Sequence, residues 1–302
     1  MQSGATAQVL QTAVMGGTVQ RPLLAPLVSA VAGEMQGLPP EEFLRDTTKL
    51  SNAIRDVVRS LNVDVAVAEF GTLWDAEAMG LPLDWSSGFP PEPKGDLPVP
   101  PSGDLANSGR GPVVIEAVRR LSALLGDRVV VSAGVTGPVR FSRLSGGKFS
   151  PVEAAEVVLP AVRLLCEAGA RLIWVVEDEA LPEDPDALAS AMAPVWGSIA
   201  FYGGAGALHV TGSADGWKEF VVQGGPHITC FDPERSPELA IRFRDSGSFG
   251  LALPPGESPP VARELILTKR CFLLTNDGEL SGRVAARDLH TTVSVLRSMA
   301  QF

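Results

Sequence analysis

Cysteine is scarce in this chain of 302 residues, and its use excludes a disulfide-stapled fold. The three cysteines are odd in number, lie far apart and form no CxxC pair. Each stands in an apolar segment, which is typical of reduced core thiols in a protein from a reducing compartment. We therefore predict core roles for Cys166, Cys230 and Cys271.

Positive charge is also in short supply. Lys and Arg total 25 against 35 Asp and Glu, for a net charge of -10, and the basic residues are scattered. Nucleic acid and anionic membrane surfaces are poor partners for such a chain. Polyanionic substrates are disfavoured for the same reason.

Long apolar runs are missing as well. No run approaches the roughly 20 residues that span a bilayer, and the first 17 residues carry no basic leader. Hydrophobic residues make up 45% and charged residues 20%, which describes a globular core. We expect a soluble, cytoplasmic protein in which residues 1–302 form a single domain.

The segment from 167 to 179, EAGARLIWVVEDE, carries the clearest structural signal. A helix with a capping box at Ser150 is predicted before it, ending at Gly169. The unbroken apolar run that follows predicts a strand buried on both faces, with three carboxylates at its carboxyl end. A strand of this kind delivers acidic side chains to a site.

The same helix-strand unit recurs along the chain. Eight strands are predicted, at 21–28, 63–70, 129–135, 172–176, 207–212, 227–231, 249–253 and 271–275. Eight alternating units in about 300 residues favour an α/β fold of the (β/α)8 TIM-barrel type, whose active site lies where the strands end. A Pro/Gly-rich connection at 81–112 predicts a lid, a hairpin excursion or a mobile segment rather than a domain boundary.

Several segments, in order, resemble the uroporphyrinogen decarboxylase superfamily: RPLLAPLV, GEMQGLPPEEFLRDTTKLSNAIRD, VDVAVAEFGTLWDAEAMG, GPVRFS, EAGARLIWVVEDE and LHVTGS. The superfamily also holds zinc-dependent methyltransferases that move a methyl group between corrinoid proteins and thiols. The resemblance spans the chain and implies a uroporphyrinogen decarboxylase-like barrel.

Two departures from the family patterns bear on the reaction. The decarboxylases carry an Arg-bearing segment after the first strand that holds substrate carboxylates, whereas this chain reads APLVSAVAGEMQG there, without Arg. The methyltransferases carry His-x-Cys on the fifth strand and a further Cys after the last, whereas this chain has His209, Thr211 and Asp277. An oxygen-rich zinc site from His209, Asp277 and Glu177 is conceivable, but no spacing requires it, and we expect no metal.

The resemblance and the positions of residues at the predicted strand ends indicate the site residues. The predicted catalytic residues are Glu177, His209 and Glu69. The predicted substrate-binding residues are Asp75, Glu77, Arg140, Thr211, Asp232, Asn276 and Asp277. Structural alternatives remain open: Glu177 paired with Arg140, His209 as a core histidine, and Asp75 and Glu77 as solvated carboxylates.

Three functions are compatible with these residues. The first is transfer of a methyl group to or from a small substrate, with a corrinoid or tetrahydrofolate as carrier, possible docking of a corrinoid protein, and no zinc. The second is decarboxylation of a small acid, with an acidic residue protonating the carbanion. The third is a non-catalytic binding barrel. Relatives often form homodimers, and a homodimer is expected here on that ground.

Overall fold

The computed structural model describes residues 5–86, 88–99, 103–280 and 286–301. At its centre is a sheet of eight parallel strands in the order β1-β8-β7-β6-β5-β4-β3-β2. The strands are β1 (Leu23–Leu24), β2 (Val65–Val67), β3 (Val130–Thr136), β4 (Leu172–Glu177), β5 (Ala205–Val210), β6 (Ile228–Phe231), β7 (Phe249–Leu253) and β8 (Cys271–Asn276). The (β/α)8 barrel predicted from the sequence is confirmed.

Helices surround this sheet and link its strands. They are α1 (Ala5–Val14), α2 (Ser29–Glu34), α3 (Pro40–Leu44), α4 (Thr47–Leu61), α5 (Trp74–Ala78), α6 (Gly111–Leu125), α7 (Pro138–Leu144), α8 (Pro151–Ala168), α9 (Pro185–Phe201), α10 (Lys218–Val222), α11 (Pro237–Asp245), α12 (Pro260–Ile266) and α13 (Ala286–Met299). Within the described ranges, none of the helices combines the length and the apolar character needed to cross a bilayer.

Asp64 links the two strands at the seam of the barrel. Its backbone N–H donates to the carbonyl oxygen of Leu24 at 3.1 Å, and its carboxylate accepts the N–H of Leu24 at 2.9 Å. The guanidinium of Arg21 holds both carboxylate oxygens, at 2.7 and 2.8 Å. Asp64 therefore links β1 and β2 through both its backbone and its side chain.

The first strand is shorter than predicted, two residues instead of eight. It pairs with β8 through Leu23 and Leu24, and the N–H of Ala25 donates to the carbonyl oxygen of Leu274 at 2.9 Å. Beyond them, the side chain of Asn276 accepts the N–H of Leu27 at 2.9 Å and donates to its carbonyl oxygen at 3.2 Å. An amide side chain thus replaces the ladder, so that the chain leaves the sheet early.

Helix α1 closes the amino-terminal end of the barrel. Its buried residues Leu10 and Ala13 share a core cluster with Val65, Leu172 and Phe272 near the starts of β2, β4 and β8. The hydroxyl of Ser248 donates to the carbonyl oxygen of Ala13 at 3.1 Å, which ties the helix to the start of β7. The sequence analysis did not identify this helix.

The helix-strand unit at 150–177 forms as predicted. Ser150 and Glu153 make the reciprocal bonds of a capping box, and Gly169 ends α8 in the left-handed region at φ 110°. Every residue of β4 is buried. The cysteines are buried and free, as the sequence predicts.

The long Pro/Gly-rich connection contains a hairpin. Leu83–Asp84 pairs antiparallel with Glu92–Pro93, and α6 follows from Gly111. The hairpin excursion was one of three predicted possibilities. Residues 87 and 100–102 of the connection lie outside the described part of the chain.

Candidate active site

Glu69 is a buried carboxyl that follows β2, with a side chain 1% exposed. Its Oε1 accepts the backbone N–H of Thr72 at 3.0 Å and also the Thr72 hydroxyl hydrogen. Burial raises the pKa of Glu69 to about 7, although the nearby Arg110 and the Thr72 bonds lower it. A carboxyl with this pKa can hold a proton at neutral pH, as a general acid must.

A second carboxyl, Glu279, lies near Glu69. Its Oε1 accepts the hydroxyl hydrogen of Ser29 at 2.5 Å and the N–H of Ala30 at 2.8 Å. Its Oε2 is buried and has no hydrogen-bond partner in the described part of the chain. Burial raises the pKa of Glu279 to about 7, and the negative charge of Glu69 adds to the rise. The charge of Glu69 therefore makes ionisation of Glu279 less favourable.

His209 lies inside the barrel near the end of β5 and is fully buried. Its ring meets Phe70 edge to face, with centroids 4.9 Å apart, and its Nε2 lies 3.3 Å from the carbonyl oxygen of Asn276. Since a carbonyl oxygen only accepts, Nε2 carries the hydrogen and Nδ1 carries a lone pair. That Nδ1 has no partner among the described residues. Burial lowers the pKa of His209 to about 4, so the imidazole is neutral at pH 7.

Glu177 ends β4 and caps a helix. Its two oxygens accept the backbone N–H groups of Val139 and Arg140, the second and third residues of α7, at 2.9 and 2.8 Å. Burial raises the pKa of Glu177 to about 8, against the opposing effect of these two bonds. The structural alternative foresaw a pair with Arg140, and the contact is made by the Arg140 backbone. Both oxygens are occupied, in contrast to Glu279.

Gly137 provides the space that Glu177 needs. A Cβ at position 137 would lie 2.2 Å from Cδ of Glu177. We expect Gly137→Ala to lower the free energy of unfolding by about 1–3 kcal/mol, because the carboxyl or α7 must shift. Urea unfolding measures this.

Gly197→Ala is the matched control for that substitution. Gly197 lies in α9 with no atom within 4 Å of an added Cβ. Alanine there should leave the protein as stable or stabilise it by up to about 1 kcal/mol, through helix propensity. Equal losses in the two variants would contradict the packing of Glu177 against Gly137.

Asp75 and Glu77 are not solvated, contrary to one of the alternatives. Asp75 is 1% exposed and accepts the N–H and the hydroxyl hydrogen of Thr136, both at 2.7 Å. Glu77 accepts from Arg110 at 2.5 Å and from Arg45 at 2.7 Å. Sequence spacing could not show this, because each partner arrives from a distant segment.

Asp232 and Asp277 share one cation. Arg235 lies 3.4 Å from a carboxylate oxygen of Asp232 and 3.6 Å from one of Asp277. Burial raises the pKa of Asp277, and Arg235 opposes the rise. The pair forms a charged cluster over the ends of β6 and β8.

Two other predicted binding residues have different surroundings. The amide of Asn276 is committed to Leu27 and Gly278 and holds the chain after β1. Thr211 is exposed, just past the end of β5. A contact between these residues and a substrate stays a prediction.

The sequence analysis missed three residues that shape the site: Glu279, Thr72 and Arg110. Glu279 ends the NDGE segment after β8, from which only Asn276 and Asp277 were chosen. Arg110 lies in the Pro/Gly-rich connection, yet it is fully buried. A buried arginine in such a segment carries no local signal.

The resemblance in the sequence implies zinc ligands at the ends of β5 and β8, where this chain has His209 and Asp277. In the described ranges, no three His, Cys, Asp or Glu side chains are grouped so as to hold a metal ion. Glu177 is occupied by backbone N–H groups and Asp277 by Arg235. The residues present therefore do not fit zinc.

Comparison with known proteins supports the resemblance. The family model for uroporphyrinogen decarboxylase matches residues 6–150. A methyltransferase from Methanosarcina mazei is 17% identical, with 97% of this chain and 98% of that chain covered, at a TM-score of 0.77. Among curated proteins, none matches the chain.

Two more solved structures share the barrel. A B12-independent methionine synthase from a Shewanella species is 13% identical, covers 95% of both chains and has a TM-score of 0.57. A dihydrodipicolinate synthase from Agrobacterium tumefaciens is 12% identical, covers 98% of this chain and 80% of that one, and has a TM-score of 0.51. At such identities the likeness concerns the fold.

Proposed function

We propose that this uroporphyrinogen decarboxylase-like barrel is an enzyme that transfers a methyl group from a small neutral or cationic substrate to a carrier. One observation supports the proposal most: Glu279 has a buried Oε2 without a hydrogen-bond partner in the described part of the chain, and burial raises the pKa of both Glu279 and Glu69 to about 7. The pair can carry a proton at neutral pH and release it to a leaving group.

The proton held by these carboxyls would assist departure of the leaving group, which is the difficult part of the proposed reaction. Breaking the bond between a methyl group and the oxygen of an ether or the nitrogen of a neutral amine leaves a strongly basic alkoxide or amide anion, and a positioned acid protonates that anion as it forms. Glu279 is the donor we assign, because its free oxygen has no competing partner in the described part of the chain. Glu69 supports it, since the negative charge of Glu69 adds to the rise in the pKa of Glu279.

His209 acts in this proposal as a neutral hydrogen-bond acceptor. Its Nδ1 lone pair is buried and unpartnered among the described residues, and its pKa of about 4 keeps the ring uncharged. It can orient a substrate through an N–H or O–H group. Such a substrate would donate to His209 and accept from Glu279.

The carrier we propose is a corrinoid or tetrahydrofolate, which supplies the group that accepts the methyl. Binding of either, docking of a corrinoid protein and homodimer formation are part of the proposal. The charge balance favours a neutral or cationic methyl donor, since the carboxyls of Glu69, Glu279, Asp232 and Asp277 lie near the strand ends.

Decarboxylation of a small acid is the second candidate, and Arg140 favours it. Its backbone N–H binds Glu177 and its positive charge lowers the pKa of that carboxyl, but within the described ranges its guanidinium lies within 4.0 Å of no carboxylate oxygen. A substrate carboxylate could bind there. Loss of carbon dioxide would then need an acid such as Glu279 to protonate the carbanion.

The test is an assay with reduced cobalamin or tetrahydrofolate and a panel of methylated amines and methyl ethers, with the methylated carrier detected by absorbance or mass spectrometry. Glu279→Gln should lower the rate by about 10²–10⁴-fold at pH 7. Glu264→Gln is the matched control, because that carboxylate is exposed and paired with Arg244 at the surface.

Each outcome decides between the two candidates. A Glu279→Gln variant as fast as the wild type would contradict the acid role. Release of carbon dioxide from small acids, lost in Arg140→Ala and without methyl transfer, would favour the decarboxylase.

A further inference from the structure

Arg110 is a fully buried cation at the start of α6. Its Nε donates to Glu77 at 2.5 Å, and its two terminal nitrogens donate to the Thr72 hydroxyl oxygen at 2.9 Å and the Thr72 carbonyl oxygen at 2.6 Å. All three nitrogens of the guanidinium are thus used. The same Thr72 contacts the candidate acid Glu69.

The direction of these bonds follows from the chemistry of the groups. A guanidinium can only donate, so the Thr72 hydroxyl oxygen must accept from Arg110. The single hydroxyl hydrogen is then directed to Oε1 of Glu69, which also accepts the Thr72 backbone N–H. Oε1 is therefore surrounded by donors, and a proton on Glu69 belongs on Oε2.

We infer that Arg110 is a positioning residue that acts through Thr72 to determine which oxygen of Glu69 carries the proton. The inference deepens the proposed function, on which it rests for the use of that proton. It depends on the direction of two hydrogen bonds, from Arg110 to the Thr72 hydroxyl oxygen and from that hydroxyl to Glu69. It also depends on the burial of the Arg110 guanidinium, which fixes both directions. Arg110 itself touches no reacting atom in this scheme.

The hairpin after α5 packs on the same cation. The ring centroid of Trp85 lies 5.0 Å from the Arg110 guanidinium and 5.7 Å from that of Arg45. Arginine over an indole face is an attractive arrangement, stronger when it is shielded from water. The hairpin thereby helps to hold Arg110, and through it Thr72, in place.

Charged groups approach Glu69 from three sides. Arg110 at the start of α6 lowers its pKa, whereas Asp75 on α5 raises it. Glu279, after β8, interacts with it as a second carboxyl. A test must therefore separate the hydroxyl bond from these charges, which isosteric changes at Thr72 can do.

The experiment is an NMR titration of the glutamate side-chain carboxyl carbons in the full-length protein, with the Glu69 signal assigned by its loss in Glu69→Gln. Thr72→Val removes the hydroxyl and should raise the pKa of Glu69 by about one unit. Thr72→Ser keeps the hydroxyl and should stay within a few tenths of a unit of the wild type. Arg110→Lys keeps the positive charge but loses the planar set of guanidinium donors that binds Thr72. It should shift the pKa of Glu69 in the same direction as Thr72→Val.

The inference is overturned if the pKa of Glu69 is unchanged in Thr72→Val. It is also overturned if the pKa of Glu69 shifts in Thr72→Val but not in Arg110→Lys. If Arg110→Lys does not fold, the Thr72 pair still decides, because valine and serine are close in size to threonine. The readout needs no substrate. Failure of the methyl-transfer assay is thus distinguishable from failure of this inference.

Discussion

Glu69→Gln should be more stable than the wild type by about 3 kcal/mol at pH 8.5 and by less than about 1 kcal/mol at pH 5. The pKa of Glu69 rises from 4.5 to about 7 on folding, chiefly through burial, so the folded state holds the proton more tightly than the unfolded state. The stability that this proton contributes is present below pH 4.5 and is lost as the pH rises through about 7. At about 1.36 kcal/mol per pKa unit, ionisation of the buried carboxyl costs about 3 kcal/mol. Glutamine avoids that cost.

Urea unfolding at the two pH values measures the effect, since other titrating groups are common to both proteins. Glu264→Gln is again the control, because an exposed carboxylate should give the same small difference at pH 5 and pH 8.5. An equal offset for Glu69→Gln at both pH values would show that Glu69 ionises normally. We also expect the more stable variant to be the less active one.

Replacing Arg110 with Met should cost about 3–5 kcal/mol of the free energy of unfolding, which is typical for breaking a buried charged network by removing one partner. The Arg110 side chain is 0% exposed, and Glu77, its ion-pair partner, is 11% exposed. The Thr72 carbonyl oxygen would also lose its donor. Buried groups left without partners account for most of the expected loss.

Arg45→Met tests the reasoning on the same carboxylate. Arg45 binds Glu77 at 2.7 Å, but its side chain is 40% exposed. Its loss should cost less than about 1 kcal/mol, as for other exposed ion pairs. Comparable losses from Arg45 and Arg110 in thermal or urea unfolding would show that burial does not set the difference.

The barrel could be predicted because each strand and helix start has a signal in its own stretch of sequence. Continuous apolar runs such as 172–176 mark strands buried on both faces, and the capping box at Ser150 marks a helix start. β1 was predicted too long, because the Asn276 side chain that ends its pairing is 249 residues away from Leu27. Helix α1 was not predicted, because residues 1–17 were considered only as a possible leader.

The site was predictable only in part, because contacts between distant segments leave no local signal in the sequence. Residues at strand ends, such as Glu69, Glu177 and His209, follow from the fold. Whether a carboxyl is saturated or free depends on groups from other segments, which is why Glu279 was overlooked and Asp75 was allowed to be solvated. Such contacts leave no pattern in the spacing of residues along the chain.

Helix α1 covers the amino-terminal end of the barrel. Leu10 and Ala13 pack beneath the strand starts, so in the proposed transfer both reactants would arrive from the carboxyl ends of the strands. Under the proposed function, methyl donor and carrier would then compete for the same approach or bind in a fixed order, the deeper one first. Steady-state kinetics with both reactants varied should show either competitive inhibition at high carrier concentration or a compulsory order of addition.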